Sequence, residues 1–208
     1  MKRCIVLTGG PLSDFDRVHP EIRPDDFIIA CDSGYAAARY FGITPHLAVG
    51  DFDSLQETIP PDIPVLKAST HKDDTDTMLG LRCGLERGCR DFLILGGFGG
   101  RLDHTISNLQ ALSFLCENEA TGQILSNRNA AWLVRNGSLR IPRMERYHLS
   151  VFAWGGSCTG VTLEGLEYPL TDYTMRPVIP VGTSNEFSAE EAVITAGSGT
   201  LLVIASRE

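Results

Sequence analysis

Short apolar runs, most of them closed by glycine or aspartate, constrain this chain more than any other feature. Cys4–Thr8 ends at Gly9-Gly10-Pro11, Phe27–Cys31 at Asp32-Ser33-Gly34, and His46–Val49 at Gly50-Asp51. Val65–Lys67 and Gln123–Leu125 are shorter versions, and Asp91–Leu95 leads into Gly96-Gly97. Runs of this length, bounded by turn residues, read as strands buried on both faces. Between them lie helical patterns. An alanine-rich stretch over Tyr35–Phe41 has Gly42 placed to cap it in the left-handed conformation. Met78, Leu81 and Leu85 share a face of a helix that starts near Thr75 and stops at Gly88. Ile106, Leu109, Leu112 and Leu115 or Cys116 mark another. Strand, turn, helix, strand is the grammar of a parallel α/β sheet.

The pattern changes near Ser126. Short β-like runs now alternate with Gly, Pro and Asn: Ala131–Val134, His148–Ala153, Val161–Leu163, Ala192–Thr195 and Leu201–Ile204. Turn signals about every ten residues suit a sandwich or barrel. The expected organisation is an N-terminal parallel-sheet, Rossmann-like α/β domain over residues 1–126 and a smaller all-β domain over 127–208.

Composition narrows the function. Hydrophobic residues make up 43% of the 208 and charged residues 21%, which suits a soluble globular protein. The net charge of −8 comes with no basic stripe, so a nucleic-acid partner is not expected. No apolar run is long enough to span a membrane, and the first strand is too short for a signal sequence. The six cysteines form no C-x-x-C pair and sit mostly in apolar stretches. They read as buried thiols in a reducing cytoplasm rather than a zinc site or disulfide framework.

Chemistry concentrates between Val49 and His104. In Gly50-Asp51-Phe52-Asp53-Ser54, Asp51 and Asp53 follow an apolar strand, at the ligand edge of an open α/β sheet. Oxygen-only donors of this kind suit Mg²⁺. In Lys72-Asp73-Asp74-Thr75-Asp76, three acids crowd a helix start where capping needs one. The excess points to a cation, and Lys72, one of three lysines, is placed for phosphate oxygens. In Gly96–Gly100 followed by Arg101-Leu102-Asp103-His104, glycines let backbone amides wrap an anion and Arg101 offers a phosphate clamp. Asp103 either caps the next helix or binds a ribose hydroxyl or metal-bound water. His104 reads as a structural hydrogen-bonding residue or a proton carrier. Asp32 sits at the same sheet edge. The dinucleotide fingerprint fails because Leu102 stands where glycine is required, and no Gly-Lys occurs for a P-loop.

Taken in order, these blocks resemble the thiamine pyrophosphokinase (thiamin diphosphokinase) family. Asp32-Ser33-Gly34, Thr44-Pro45, the three clusters above and Asn108 match. So do Gly165–Leu170, Gly182-Thr183-Ser184-Asn185-Glu186 and Gly199–Ile204. The match departs at Ser33, a position that is often glycine. The resemblance implies an α/β catalytic domain and a β-sandwich that helps bind thiamine, in a cytoplasmic homodimer with sites at the subunit interface. It implies diphosphoryl transfer from ATP to the thiamine hydroxyl, giving thiamine diphosphate and AMP. Asp51, Asp53 and Asp76 would hold Mg²⁺. Lys72, Asp73, Thr75, Gly99, Gly100, Arg101, Asp103 and His104 would surround the nucleotide. Asp32, Ser54, Ser184 and Asn185 would lie near thiamine. The residues alone leave two alternatives open, a metal-dependent phosphoesterase and a non-catalytic nucleotide- or thiamine-binding protein.

Overall fold

The computed structural model describes residues 2–11, 18, 20–52, 58–67 and 74–208. The chain divides into two compact units, Met1–Asn127 and Arg128–Glu208.

The first unit is built on β1 (Arg3–Leu7), β2 (Phe27–Cys31), β3 (Leu47–Gly50), β4 (Val65–Lys67), β5 (Asp91–Leu95) and β6 (Thr121–Leu125). Its helices are α1 (Gly34–Tyr40), α2 (Asp76–Glu86) and α3 (Leu102–Glu117). The strands pair in parallel in the order β4-β3-β2-β1-β5-β6. Both faces are covered over the central strands, whereas β4, read from its apolar run as buried, is an exposed edge strand. Ile5, Leu7, Ile28, Leu93 and Leu95 pack with Ala37 and Ala38 of α1. On the other face α2 comes so close that a Cβ at Gly80 would meet Cys31, Val6 and Ile29. One at Gly84 would meet Phe92 and Cys4. This alternation along β1, β2 and β5 is the period-two geometry of a pleated sheet, and it explains why those runs read as apolar throughout.

The first two helices stop where their sequences say. At the end of α1, Gly42 has φ +66°. Its N–H donates to Arg39 O at 3.0 Å, and that of Ile43 to Ala38 O at 2.9 Å, the paired bonds of a Schellman cap. Gly88, φ +78°, ends α2 in the same way, with Cys89 N–H on Gly84 O at 3.1 Å.

One buried ion pair anchors the start of the sheet. Arg3 donates from Nε to Asp26 Oδ1 at 2.8 Å and from Nη2 to Oδ2 at 2.6 Å, while the Arg23 amide reaches Oδ2 at 2.7 Å. Burial by itself lifts the Asp26 carboxyl. The Arg3 fork, the Arg23 amide and both positive charges outweigh it and hold the carboxyl below the usual range. A carboxyl depressed on folding adds stability above its unfolded pKa of ~4 and loses it as pH falls through the folded value. Asp26→Ala is therefore expected to cost about 3 kcal/mol at neutral pH, with the gap from wild type narrowing as pH drops below ~4. Urea unfolding at several pH values measures it. A gap that is constant with pH would show that the pair does not carry the effect.

The second unit is antiparallel throughout its described pairings. It comprises β7 (Asn129–Pro142), β8 (His148–Ala153), β9 (Cys158–Glu164), β10 (Leu170–Met175), β11 (Gly182–Asn185) and β12 (Glu191–Ser206). β7 runs beside β12 from Asn129↔Ser206 to Pro142↔Glu191. The first half of β12 also pairs with β9, which pairs with β10; the second half pairs with β8, which pairs with β11. Two runs expected as separate strands, Ala192–Thr195 and Leu201–Ile204, are thus halves of one. Gly197-Ser198-Gly199 does not break it but bends it. The register shifts between Ala196 and Thr200, Gly199 adopts φ +117°, and its N–H is held by Asn136 Oδ1 at 2.9 Å. A bulge of this kind lets one strand serve two neighbours. β10 and β11, whose exposed polar residues give weak apolar alternation, are strands that the sequence pattern did not reveal.

All six cysteines are free thiols, five of them buried and Cys116 half-buried. Among the described residues no helix is long and apolar enough to cross a membrane.

Candidate functional site

The strand order creates the site. β1 and β5 are neighbours, yet the chain leaves β1 toward β2 and leaves β5 toward β6. The loops that follow them diverge and open a crevice at the carboxyl ends of the strands, the usual ligand position in open α/β sheets. A cavity of about 760 Å³ lies there, large enough for a nucleotide-sized ligand.

One wall is acidic, lined by Asp32, Asp51 and Asp76. Asp32 turns the chain out of β2 with φ +46°, while its N–H still donates to Val49 O of β3 at 2.7 Å. Gly50, φ +142°, lies so close that a Cβ would sit 3.2 Å from the Asp32 backbone. This contact sets Asp51 and Asp32 side by side on adjacent strand ends. Asp76 is the first residue of α2, and Thr75 caps that helix, its Oγ1 accepting from Met78 N–H at 3.2 Å. The sequence left the neighbouring acids as candidate caps; the Thr75 hydroxyl takes the role. Partial burial first, then the charges of Asp32 and Asp51, holds the Asp76 carboxyl above its usual range. The three acids are therefore within electrostatic reach of one another.

The opposite wall is glycine. Thr8 ties the end of β1 to that of β5, donating to Leu95 O from its amide at 2.8 Å and from Oγ1 at 3.1 Å. A Cβ on Gly10 would lie 2.4 Å from Gly96 O, so the two loops meet backbone to backbone. Gly96, Gly99 and Gly100 all have positive φ. The rim is the first turn of α3. Arg101 grips Asp103 there, Nε to Oδ1 at 3.1 Å and Nη2 to Oδ2 at 2.6 Å. That bond, followed by the His104 amide and the charges, keeps Asp103 below the ordinary carboxylate range. The N-cap position is Arg101, without a side-chain cap; Asp103 Oδ1 instead accepts from the His104 amide at 3.0 Å. Asp103 is thus no N-cap of α3. Arg101, Asp103 and His104 are exposed and line the cavity with Thr75, Gly99 and Gly100.

Asp53, Ser54, Lys72 and Asp73 lie outside the described residues. Asp74 also lines the cavity, but its Oδ2 accepts from Arg82 Nε at 2.8 Å, and the Arg82 guanidinium rests 4.7 Å over the Phe114 ring. Ser184 and Asn185 belong to the second unit. Ser184 is exposed with φ +57°. Asn185 is buried and clasps the Gly165–Leu170 segment: Oδ1 accepts from Tyr168 N–H at 2.9 Å and Glu186 N–H at 3.0 Å, and Nδ2 donates to Tyr168 O at 2.7 Å. Its backbone contacts make it a clamp within that unit. Thr8, Gly9, Gly10 and Ser107 line the cavity without having been singled out in the sequence. Gly9-Gly10 carried a signal, a glycine pair closing a buried strand, but nothing local told that the strand is a neighbour of β5.

Among the described residues no three His, Cys, Asp or Glu side chains come close enough to enclose a metal. The acid wall nonetheless has the hard oxygen donors and the mutual repulsion that a divalent cation relieves. Mg²⁺ commonly takes one or two carboxylates, completing its shell with water and phosphate oxygens, so the residues fit such an ion.

Fold and crevice together define a doubly wound α/β protein with an acid-and-glycine pocket at its switch point. Residues 14–122 match the family model "Thiamin pyrophosphokinase, catalytic domain" and residues 137–201 match "Thiamin pyrophosphokinase, vitamin B1 binding domain". The chain belongs to the thiamin pyrophosphokinase family. It is 27% identical to the thiamine pyrophosphokinase of Bacillus subtilis over the full length of both chains. It is 24% identical to thiamin pyrophosphokinase 1 of Caenorhabditis elegans, over 97% of this chain and 88% of that one. The crystal structure of the Bacillus subtilis thiamine pyrophosphokinase superposes with a TM-score of 0.90 at 26% identity, covering all of both chains.

Proposed function

We propose that this protein transfers the diphosphoryl group of ATP to the hydroxyl of thiamine, giving thiamine diphosphate and AMP. The observation that carries this is the switch-point cavity, acidic on one wall and glycine on the other, in a chain of this family. Residues 1–126 would be the catalytic domain and 127–208 a sandwich that contributes to thiamine binding. The working form would be a cytoplasmic homodimer with sites at the subunit interface. Asp51 and Asp76, with Asp53, would hold Mg²⁺, which when bound neutralises phosphate charge.

The chain's own part is alignment and charge complementarity, which phosphoryl transfer mostly needs. Gly99 and Gly100 place backbone near the phosphates, and Arg101 offers a fork matched to two phosphate oxygens. Lys72, Asp73, Thr75, Asp103 and His104 would complete the nucleotide side. Asp32 and Ser54, with Ser184 and Asn185, would face thiamine. The thiamine oxygen attacks the β-phosphorus in line, the bond from that phosphorus to the α,β-bridging oxygen breaks, and AMP leaves with that oxygen. The hydroxyl proton must go to a base. Asp53 and Asp103 are the candidate bases, and Arg101, which keeps Asp103 below the ordinary range, weakens Asp103 in that role.

Incubation with ATP, Mg²⁺ and thiamine is expected to yield AMP and thiamine diphosphate in equal amounts. Removing the metal with EDTA should abolish the reaction. ADP formation, or phosphate release that does not depend on thiamine, would overturn the assignment, the latter in favour of a phosphoesterase.

A further inference from the structure

The glycine loop after β5 is held at its entry and open at its exit. Gly96 abuts Gly10. Gly97 carries the bond of interest: its carbonyl accepts from Asn108 Nδ2 at 2.9 Å. Asn108 sits on the second turn of α3, is 8% exposed, and lines the cavity. A carbonyl oxygen can only accept, so the amide orientation of Asn108 follows from its partner rather than from convention. Gly99 and Gly100, beyond this point, are exposed.

A loop that receives phosphate must present N–H groups and turn its carbonyls elsewhere. Glycine makes that close approach feasible and also makes it insecure, since the glycines at 97, 99 and 100 accept a wide range of backbone angles. Rotating the Gly97–Phe98 peptide changes only ψ of Gly97 and φ of Phe98, yet exchanges the directions of the N–H and C=O. Flipping would also strip a buried carbonyl of its donor, which is costly. We propose that Asn108 is a positioning residue for the diphosphoryl donor: by holding the Gly97 carbonyl, it locks the glycine loop in the orientation that receives the triphosphate. This rests on the assignment of ATP to the cavity. Asn108 acts through the loop.

The test is Asn108→Asp, nearly isosteric but lacking the donor when ionised. Steady-state kinetics on the full-length protein should show KM for ATP raised about tenfold, the scale of one lost hydrogen bond to a buried group, with KM for thiamine changed less than about twofold. Hydrogen exchange should quicken by about tenfold or more at the Phe98–Arg101 amides and stay unchanged in β1 and β2. Should that variant fail to fold, Asn108→Ser is read by the same two measurements. Unchanged KM for ATP with unchanged loop exchange would overturn the proposal. So would equal rises in both KM values alongside faster exchange throughout, the pattern of a merely structural residue. If the wild-type protein forms no thiamine diphosphate, the functional assignment fails. The exchange comparison still decides whether Asn108 locks the loop.

Discussion

Asp51→Asn and Asp76→Asn are each expected to lower turnover by on the order of a hundredfold or more while leaving the fold intact. Each change removes one negative charge and one strong oxygen donor while keeping the side-chain shape. Asp51 leaves the end of β3 and Asp76 opens α2, so neither lies in the packed core. The acid wall is under internal repulsion: partial burial, then Asp32 and Asp51, holds the Asp76 carboxyl above its usual range. A carboxyl raised on folding favours the folded state below its unfolded pKa of ~4 and loses that contribution as pH rises through the folded value. Without metal, wild type should therefore lose stability relative to Asp76→Asn as pH climbs from ~4 toward neutral. Thermal midpoints in EDTA across that range read the effect. Adding Mg²⁺ should raise the wild-type midpoint more than that of either variant, because an ion that binds the folded state stabilises it by mass action. Near wild-type turnover in either variant removes that residue from the proposed metal set.

Gly34→Ala should cost about 3 kcal/mol or more, the upper range for forced overpacking. An added Cβ would lie 2.1 Å from Leu7 O, 2.6 Å from Leu7 C and 2.9 Å from Thr8 N. Those atoms are backbone, and β1 is paired in parallel on both sides, so it has no room to yield. The helix must move instead, taking Asp32 and Ser33 with it and disturbing the acid wall. At roughly 2–4 °C per kcal/mol for a chain of this size, the thermal midpoint should fall by roughly 10 °C. KM for thiamine should rise with it. A midpoint within ~2 °C of wild type would mean that α1 can shift without cost.

Much of the first unit was legible because its code is local. β2 and β5 coincide with their apolar runs, and Gly42 and Gly88 stop α1 and α2 through backbone conformations that other residues adopt only under strain. The second unit was less legible. Two runs merged into β12 because the bend at Gly199 depends on Asn136, 63 positions away in sequence. The acid cluster before α2 shows the same division. Composition pointed to an excess of charge, but only packing sorts it: Asp74 pairs with Arg82 over Phe114, Thr75 caps, and Asp76 faces Asp32 and Asp51. Asn185 clasps the backbone of Tyr168, a contact 17 positions apart that no local pattern encodes.

The sequence by itself determined that a parallel α/β sheet forms, where two of its helices stop, and which residue types crowd one edge. Hydrophobic period, glycine conformation and capping chemistry act over a few residues, so they can be read along the chain. Only the tertiary structure decided the strand order, β4-β3-β2-β1-β5-β6. That order makes β1 and β5 neighbours, and it brings Gly10 against Gly96 across 86 positions of sequence. The crevice exists because two chain directions diverge from adjacent strands, a relation between segments that neither segment carries alone.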